Sequence, residues 1–407
     1  MDHDTGVIWQ KNFSSLLISN GFFFGGFHML LPTIPLLASG MGGSKTEVGL
    51  IAGIFVLSSV ITRLFTDFGV RTLGKRNCLL IGIVISLLST VTYLIAPTVG
   101  TLLWIRIVHG VGFGIGTTFY IAIVTDFIPP KRCGEGLGYF GLATTIAMAV
   151  APATGLWVAA TYGFQAMFLL SAGCELMAIL WLGGCAFSEC EGPLVADGRR
   201  MTMVSRRHAS LIDIVVERGT MFPSLLVLLF GIAYGSVLNF IAVYANEQHL
   251  SSPGSFFILG TVCIFISRLV MGKVYDRKGA AWVVLPGVLL LLGGLVMVAE
   301  TTSMTLYLGA SIFYGLGVGM LYPALQTAII NGVSADRRSG ASATFSNALD
   351  VGLGGGSVLL GMFAERTSLS AAYLCAAAAM AVLLVVYLCH LAIQRGFLGI
   401  EPVAEED

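Results

Sequence analysis

Hydrophobic residues in this chain of 407 residues occur in long, nearly uninterrupted runs. A helix needs about 20 consecutive apolar residues to cross the hydrocarbon core of a bilayer. Twelve runs are of about this length, so we predict twelve transmembrane helices. The runs lie at about 13–38, 47–68, 76–97, 101–126, 134–161, 164–187, 221–246, 253–274, 280–299, 303–330, 340–364 and 369–393.

Six of the runs lie on each side of a polar stretch from Ser188 to Thr220. The later part of this stretch places apolar residues at helical spacing, which is typical of a tether lying along the membrane surface. We therefore expect an N-terminal six-helix bundle at 1–188, a cytoplasmic linker at 189–220 and a C-terminal six-helix bundle at 221–407. The predicted fold class is an all-α integral membrane protein of two pseudo-symmetric bundles.

The two halves repeat each other at a separation of about 205 residues. A repeat that covers half of the length indicates two fused bundles rather than a solenoid. In a chain this hydrophobic, it is typical of a transporter built from two related halves around a central site. The matching segments are Thr62-Arg63-Leu64 with Ser267-Arg268-Leu269, Gly110, Gly112 and Gly114 with Gly315, Gly317 and Gly319, and Lys131-Arg132-Cys133-Gly134 with Arg337-Arg338-Ser339-Gly340.

Charged residues are scarce and unevenly placed. They make up 11% of the chain, and 56% of its residues are apolar, whereas an ordinary soluble domain has about 25% charged residues. The twelve-helix topology places 17 Lys and Arg residues in segments on one side and only Lys45 and Arg366 in the loops on the other. Because basic residues accumulate in cytoplasmic loops, we expect both termini in the cytoplasm. The first run is too long for a signal peptide and its amino-terminal flank, with Asp2 and Asp4, is not basic, so it is read as a retained helix. Short tails and the near-absence of outer sequons favour a bacterial inner membrane.

Neither cysteines nor glycines indicate a cofactor. The eight cysteines show no metal-ligand spacing, and we interpret them as buried small side chains. The glycines at 110, 112, 114 and 116 lie inside an apolar run, so close helix packing explains them better than a phosphate-binding loop. We expect a small-molecule substrate, protons and the bilayer as partners, no nucleic acid, no metal and a monomeric state.

Three local patterns resemble the major facilitator superfamily, and in particular its proton-coupled exporters. Gly272-Lys273-Val274-Tyr275-Asp276-Arg277-Lys278-Gly279 is similar to the family's inner-loop signature. The segment from Leu102 to Gly110, which contains Arg106, resembles its arginine motif, and Gly141 to Gly155, with Pro152 and Gly155, resembles its export motif. The resemblance covers nearly the whole chain and implies transport by alternating access without a cofactor.

The first-half copy of the loop signature departs from the family pattern. Asp67 stands opposite Gly272, and Arg71 stands opposite Asp276. The resemblance implies a contact that holds the halves together at the inner face, with Asp276 facing the start of the fifth helix. Either Asp67 takes over this role beside Arg71 and Asp126, or the contact is weaker here. Inner-face gating is therefore assigned to Asp67, Arg71, Asp126, Gly272, Asp276 and Arg277.

Charged residues within the apolar runs are the main functional candidates, since each is costly in hydrocarbon unless it is paired or hydrated. Arg106 holds a substrate anion, tunes a nearby carboxylate, snorkels outward or pairs structurally. His109 shares its helix face and either titrates or packs as a neutral histidine. Asp350, in the middle of the eleventh run, can bind and release a proton or serve as a structural hydrogen-bonding group. Glu175 is either a coupling residue or a buried hydrogen-bonding group. We assign proton coupling or substrate binding to Arg106, His109, Asp350 and Glu175.

Polar and aromatic residues in other runs are candidates for lining a cavity, although each can instead bridge helices. Such a lining suits a polar or amphipathic organic molecule. The leading prediction is proton-driven export of a small organic compound, a drug or a metabolite; the alternative is a proton-linked importer of a sugar or organic acid. A membrane enzyme or sensor is the third class, and no catalytic set of side chains supports an enzyme. The cavity candidates are Asn20, His28, Tyr234, Asn239 and Tyr314.

Overall fold

The computed structural model describes residues 9–128, 133–183, 220–250, 252–333 and 338–394, and these residues form helices joined by short turns, with no strand among them. The predicted linker lies outside the described residues except for Thr220. The helices are α1 (Lys11–Gly40), α2 (Lys45–Leu64), α3 (Thr66–Thr92), α4 (Val99–Phe127), the long element Cys133–Gly183, α7 (Met221–Glu247), α8 (Ser255–Lys278), α9 (Ala281–Ala299), α10 (Met304–Asn331), α11 (Arg338–Arg366) and α12 (Leu369–Gln394).

The long element consists of two helical arms. Gly163 has φ 88° and ψ 166°, values outside the helical region that glycine adopts without a steric penalty. We label the arms α5 (133–162) and α6 (164–183). Eleven helices of the described chain are long and apolar enough to cross a membrane, and one of these is the pair of arms over Gly138–Gly183. The all-helical fold predicted from the apolar runs is confirmed.

Local sequence signals define several helix ends. Ser44 and Glu47 form a reciprocal capping box at the start of α2, in which the Glu47 carboxylate accepts from the Ser44 backbone N–H at 2.8 Å. The side chains of Thr98 and Ser303 cap α4 and α10, about 205 residues apart. Large apolar side chains such as Trp104 and Leu269 are 73% and 78% exposed, as expected for surfaces that face lipid rather than water.

The chain forms two compact units. Of the described residues, the first unit holds those within Met1–Ile214, Leu238–Asn246 and Ser252–Phe257, and the second holds those within Val215–Val237, Glu247–Ser251 and Ile258–Asp407. In the first unit, α1 packs along the element Cys133–Gly183, and α4 packs against α2 and α3. In the second, α9 packs against α10 and α12, and Gly231 and Gly235 bring α7 against α11.

The glycine repeat corresponds to the same helix crossings in both units. A Cβ atom added at Gly112 of α4 would lie 2.8 Å from the Gly82 carbonyl oxygen of α3. A Cβ added at Gly317 of α10 would lie 2.9 Å from the Gly287 carbonyl oxygen of α9. Only glycine permits backbones to approach so closely. Since both residues of each pair are separated by 205 positions from their counterparts, the two units share one packing plan.

Candidate functional site

Helix α4 carries two basic side chains into the interior of the first unit. Arg106 and His109 are three residues apart and therefore share a face of the helix. Arg106 is 1% exposed and His109 is fully buried. The close crossings of α4 with α2 and α3, made possible by Gly110 and Gly112, hold this face among the neighbouring helices rather than at the surface.

Both ring nitrogens of His109 have hydroxyl partners. Nε2 lies 2.9 Å from the Ser86 Oγ of α3, and Nδ1 lies 3.2 Å from the Tyr93 hydroxyl in the 3-10 turn that follows α3. A hydroxyl group can donate or accept, so each contact suits either state of the nitrogen it faces. The imidazole is thus held in a fixed position while remaining able to exchange its proton between the two nitrogens.

Glu175 of α6 lies at the other side of Ser86. Its Oε1 atom accepts a hydrogen bond from the Ser86 hydroxyl at 2.8 Å and lies 3.9 Å from His109 Nε2. Its second oxygen, Oε2, is buried and has no hydrogen-bond partner among the described residues. Gly26 of α1 makes room for this side chain, because a Cβ atom there would lie 3.1 Å from Glu175 Cγ. The carboxyl group, the serine and the imidazole therefore form one connected series.

The Arg106 guanidinium is only partly satisfied. Its Nη2 lies 3.5 Å from the Leu30 carbonyl oxygen of α1, a long contact, and its Cζ lies 5.1 Å from the centre of the Phe55 ring of α2. Tyr93 lies within its electrostatic reach. Nε and Nη1 are buried and have no hydrogen-bond partner among the described residues. Unused donors on a buried cation are costly, so this group is suited to an incoming acceptor such as water or an anionic substrate group.

Aromatic rings surround the imidazole. The ring centres of Phe27 and Phe55 lie 6.2 Å and 5.4 Å from that of His109, both nearly perpendicular to it, and Phe113 packs against both phenylalanines. Such rings exclude bulk water, which strengthens the polar interactions they enclose. We call the series Arg106, Tyr93, His109, Ser86 and Glu175 the buried polar network.

The structure adds Ser86 and Tyr93 to the candidates predicted from the sequence. They are seven residues apart, two helical turns, and so lie on the same side of α3 and its extension. This seven-residue spacing is the feature of the sequence that could have identified Ser86 and Tyr93 as candidates. A serine in an apolar helix is common, however, and nothing in the sequence shows that it bridges residues of α4 and α6.

Two predicted cavity residues of α1 make hydrogen bonds within the first unit. The Asn20 amide nitrogen donates to the Thr144 hydroxyl of α5 at 2.8 Å. His28 Nδ1 lies 2.8 Å from the Phe24 carbonyl oxygen of its own helix. Both side chains are buried. The contacts account for part of their polarity, since Asn20 Oδ1 is buried and has no hydrogen-bond partner among the described residues. Their place in a substrate cavity remains a prediction.

The remaining candidates are dispersed over α7, α10 and α11. Tyr234 stacks on Phe230 at 5.7 Å, Tyr314 is buried against Gly260 and Gly294, and Asn239 is 1% exposed. Asp350 is partly exposed. The second unit also contains an arginine that was not among the candidates predicted from the sequence.

That arginine is Arg268 of α8. Its guanidinium carbon lies 5.7 Å from the centre of the Tyr322 ring of α10, and its buried Nε has no hydrogen-bond partner among the described residues. Tyr322 is within electrostatic range of both Arg268 and Asp350. The predicted acid therefore lies in a neighbourhood that also contains a cation and an aromatic ring.

The predicted inner-face residues are described only in part. Asp126 of α4 forms an ion pair with Lys75 of α3, with 2.6 Å between Oδ2 and Nζ. The side chains of Asp67, Arg71 and Asp276 lie outside the described part of the chain. Gly272 and Arg277 are exposed near the end of α8. Thus Lys75, four positions beyond Arg71, is the observed partner of Asp126.

The predicted export motif lies at the crossing of α5 with α1. Pro152 is inside α5 and buried. A Cβ atom at Gly155 would lie 2.8 Å from the Met29 carbonyl oxygen and 3.0 Å from its Cα. The glycine therefore permits close contact between the two helices, a packing role that is compatible with transport.

The second unit has no equivalent of the buried polar network at the matching positions. Ser311 and Tyr314 occupy the places of Arg106 and His109, while Leu291 and Val298 occupy those of Ser86 and Tyr93. The network is thus not part of the packing plan that the two units share. It is an addition to the first unit.

Comparison with known families decides the identity of this membrane fold. The model of the Major Facilitator Superfamily matches residues 16–356, and a second match covers 265–395. The chain belongs to the Major Facilitator Superfamily. It is therefore a multi-span membrane transporter and not an enzyme.

Curated relatives of this superfamily member include a multidrug resistance protein and a proton-coupled antiporter flippase. Multidrug resistance protein 2 of Bacillus subtilis is 21% identical over 79% of this chain and 81% of its own length. The proton-coupled antiporter flippase LtaA of Staphylococcus saprophyticus is 21% identical over 88% of each chain. Among solved structures, the nucleoside transporter NupG superposes with a TM-score of 0.69 at 12% identity, covering 93% of this chain and 99% of its own. This structural likeness shows the shared fold.

Proposed function

We propose that this transporter exports a small organic molecule, a drug or a metabolite, in exchange for protons by alternating access. We place it in a bacterial inner membrane with both termini in the cytoplasm. The observation that carries the proposal is the buried polar network, which encloses a carboxyl group, an imidazole and a guanidinium within the first unit.

The free-energy cost of this network supports a functional role. A charged side chain in the middle of a membrane helix costs about 2.5–3.5 kcal/mol on insertion scales. The equivalent places in the second unit hold Ser311, Tyr314, Leu291 and Val298, so the fold does not require ionisable groups there. Groups that are costly and not needed for folding are the ones expected to serve transport.

Two relatives of the chain also support the proposal of proton-coupled export. One of them is a multidrug resistance protein, and another is a proton-coupled antiporter flippase. The membrane potential is a sufficient energy source, because about 100 mV is worth about 2.3 kcal/mol per charge, which sustains roughly a 50-fold gradient.

Each group of candidate residues has a place in this proposal. Arg106, whose Nε and Nη1 have no hydrogen-bond partner among the described residues, is suited to hold an anionic or acceptor group of the substrate. The carboxyl groups of Glu175 and Asp350 are the two candidates for carrying the proton. Asn20, His28, Tyr234, Asn239 and Tyr314 remain proposed cavity residues, and Asp67, Arg71, Asp126, Gly272, Asp276 and Arg277 remain proposed inner-face residues.

A second candidate function is proton-linked import. The superfamily fold is shared with the nucleoside transporter NupG, and a buried proton-binding network serves symport as well as antiport. The two functions differ in one observable property, which is whether the organic molecule moves with the proton flow or against it.

The test uses the purified chain in liposomes with an imposed pH difference. A panel of ethidium, tetraphenylphosphonium, fluorescein and adenosine is added, and the flux of each probe is recorded together with the internal pH. We expect at least one probe to move against the proton flow and to accelerate the decay of the pH difference. Movement in the direction of the protons would establish the importer instead. No probe-dependent proton flux at all would refute proton coupling.

Two variants test whether the probe flux depends on the buried polar network. Arg106→Ala removes the guanidinium of the network and should abolish the flux. Glu300→Gln changes an exposed acid at the end of α9 and should leave the flux unchanged. Equal flux in both variants would show that the network does not take part.

A further inference from the structure

We propose that the exchanged proton is held by the Glu175 carboxyl group and reaches it from His109 through the Ser86 hydroxyl. This inference rests on the proposed proton-coupled function and assigns its proton site to the first unit. Of the two acidic candidates, it selects Glu175 rather than Asp350.

The surroundings of Glu175 favour a proton on this side chain. The residue is fully buried, its Oε1 accepts from a neutral hydroxyl, and its Oε2 has no hydrogen-bond partner among the described residues. A carboxylate enclosed in this way without a strong cationic partner costs far more free energy than the neutral acid. Closed surroundings of this kind therefore favour the uptake of a proton by Glu175.

Few other ionisable groups face Glu175. Helix α4 contributes His109, with Arg106 beyond it, and the 3-10 turn contributes Tyr93. Its own helix contributes Cys174. Helix α3 presents the Ser86 hydroxyl, which is hydrogen-bonded to Glu175, and the nearby Thr90 hydroxyl, whose Oγ1 has no hydrogen-bond partner in the described part of the chain. Helix α1 presents Gly26. No described carboxylate other than its own lies in this set, so the proton has one acidic acceptor here.

The geometry supplies a complete transfer step. Glu175 starts as the carboxylate. His109 starts neutral, with its proton on Nε2, which donates to Ser86 Oγ at 2.9 Å. A proton arrives at Nδ1 from the side of Tyr93, the Nε2 proton passes to Ser86 Oγ, and the Ser86 proton passes to Glu175 Oε1 at 2.8 Å. Glu175 ends as the neutral acid, Ser86 is unchanged, and His109 is again neutral with its proton on Nδ1. Release follows the same steps in reverse.

Arg106 determines that His109 conducts the proton rather than storing it. The guanidinium acts electrostatically on His109 and on Tyr93 between them. A fixed positive charge at this range makes a lasting second positive charge on the imidazole costly in a dry interior. A transfer in which the imidazole gains one proton as it loses another avoids that cost. Arg106 is therefore a positioning residue for the proton step.

The first experiment detects the protonated carboxyl group directly and needs no substrate. Infrared spectra of the purified protein in lipid are compared for wild type, Glu175→Gln, Asp350→Asn and Glu300→Gln at neutral pH. We expect the C=O stretch of a protonated, buried carboxyl group in wild type and in the last two variants, and its loss in Glu175→Gln. Retention of the band in Glu175→Gln, or its loss in Asp350→Asn, would overturn the assignment.

The second experiment tests the path through Ser86. After transfer to D2O, the carboxyl band shifts at the rate at which Glu175 exchanges its proton. Ser86→Ala should slow this exchange by about a hundredfold, the lower range of what a positioned proton-transfer group contributes. The matched control is Ser89→Ala one turn further along α3, where the hydroxyl donates to the Ile85 carbonyl oxygen of its own helix at 2.7 Å. Equal exchange in both variants would refute the relay.

Transport measurements distinguish a failure of this inference from a failure of the proposed function. In liposomes, Glu175→Gln should still exchange a probe that wild type moves, at a rate independent of pH, but should not concentrate it. Gln has the size and neutrality of the protonated acid, so we expect the variant to fold. Proton-driven accumulation by Glu175→Gln at the wild-type level would refute the inference while leaving proton coupling intact. Absence of proton-driven movement in wild type would refute the function, and the infrared result would still decide where the proton resides.

Discussion

Replacing Gly317 by alanine should destabilise the transporter through the crossing of α9 and α10. A Cβ atom there would lie 2.8 Å from the Leu291 backbone nitrogen and 2.9 Å from the Gly287 carbonyl oxygen. These are backbone atoms of a packed helix, so relief requires the helices to separate. Inserting a methyl group into a well-packed interior costs about 1–3 kcal/mol.

The matched control is Gly355→Ala in α11 of the same unit. No atom lies within 4 Å of a Cβ built at Gly355, and alanine is favoured over glycine within a helix by about 1 kcal/mol. The two substitutions are chemically identical and share the helix preference, so their free energies of unfolding should differ by the packing cost alone, about 1–3 kcal/mol.

Equilibrium unfolding in mixed detergent micelles, followed by circular dichroism, measures this difference. Gly112→Ala, the counterpart in the first unit, should resemble Gly317→Ala, because its Cβ would lie 2.7 Å from the Ser86 backbone nitrogen. Equal stability of Gly317→Ala and Gly355→Ala would refute the argument that the glycine repeat exists for close packing.

Three further substitutions test individual contacts. Arg106→Lys keeps the charge but loses the planar contact with Phe55, so the affinity for a transported probe, measured by equilibrium binding, should fall by about 1–2 kcal/mol; unchanged affinity would show that charge alone matters. Asp126→Asn removes the half-exposed ion pair with Lys75 and should lower the free energy of unfolding by less than about 1 kcal/mol, and a larger loss would indicate a structural latch. Asp350→Asn should retain proton-driven probe accumulation in liposomes. Loss of accumulation in this variant would assign the proton site to Asp350 of the second unit.

Much of the fold could be predicted from the sequence because lipid imposes a strict length on apolar helices. The apolar runs predicted the positions of the helices. The bend at Gly163 also falls between the runs predicted at 134–161 and 164–187. The repeated glycines could be assigned to close helix packing, and Gly112 and Gly317 occupy equivalent crossings. These features depend on local composition and on a pattern that occurs twice in the chain.

The candidate site was less accessible to sequence reasoning. The three-residue spacing of Arg106 and His109 shows that they share a helix face. It does not show that Glu175 of α6 lies on the other side of Ser86, because that depends on how α3, α4 and α6 pack. The pairing of Lys75 with Asp126 was missed for the same reason, since the alignment with the second half drew attention to Arg71 instead.

Simultaneous recording of internal pH and probe flux in liposomes, for wild type and Glu175→Gln side by side, tests the central claim most directly. The buried network predicts that wild type concentrates a probe at the expense of the pH difference, and that Glu175→Gln equilibrates the probe without moving protons. Wild-type flux that is insensitive to pH, or proton-coupled flux that is the same in both proteins, would contradict the account.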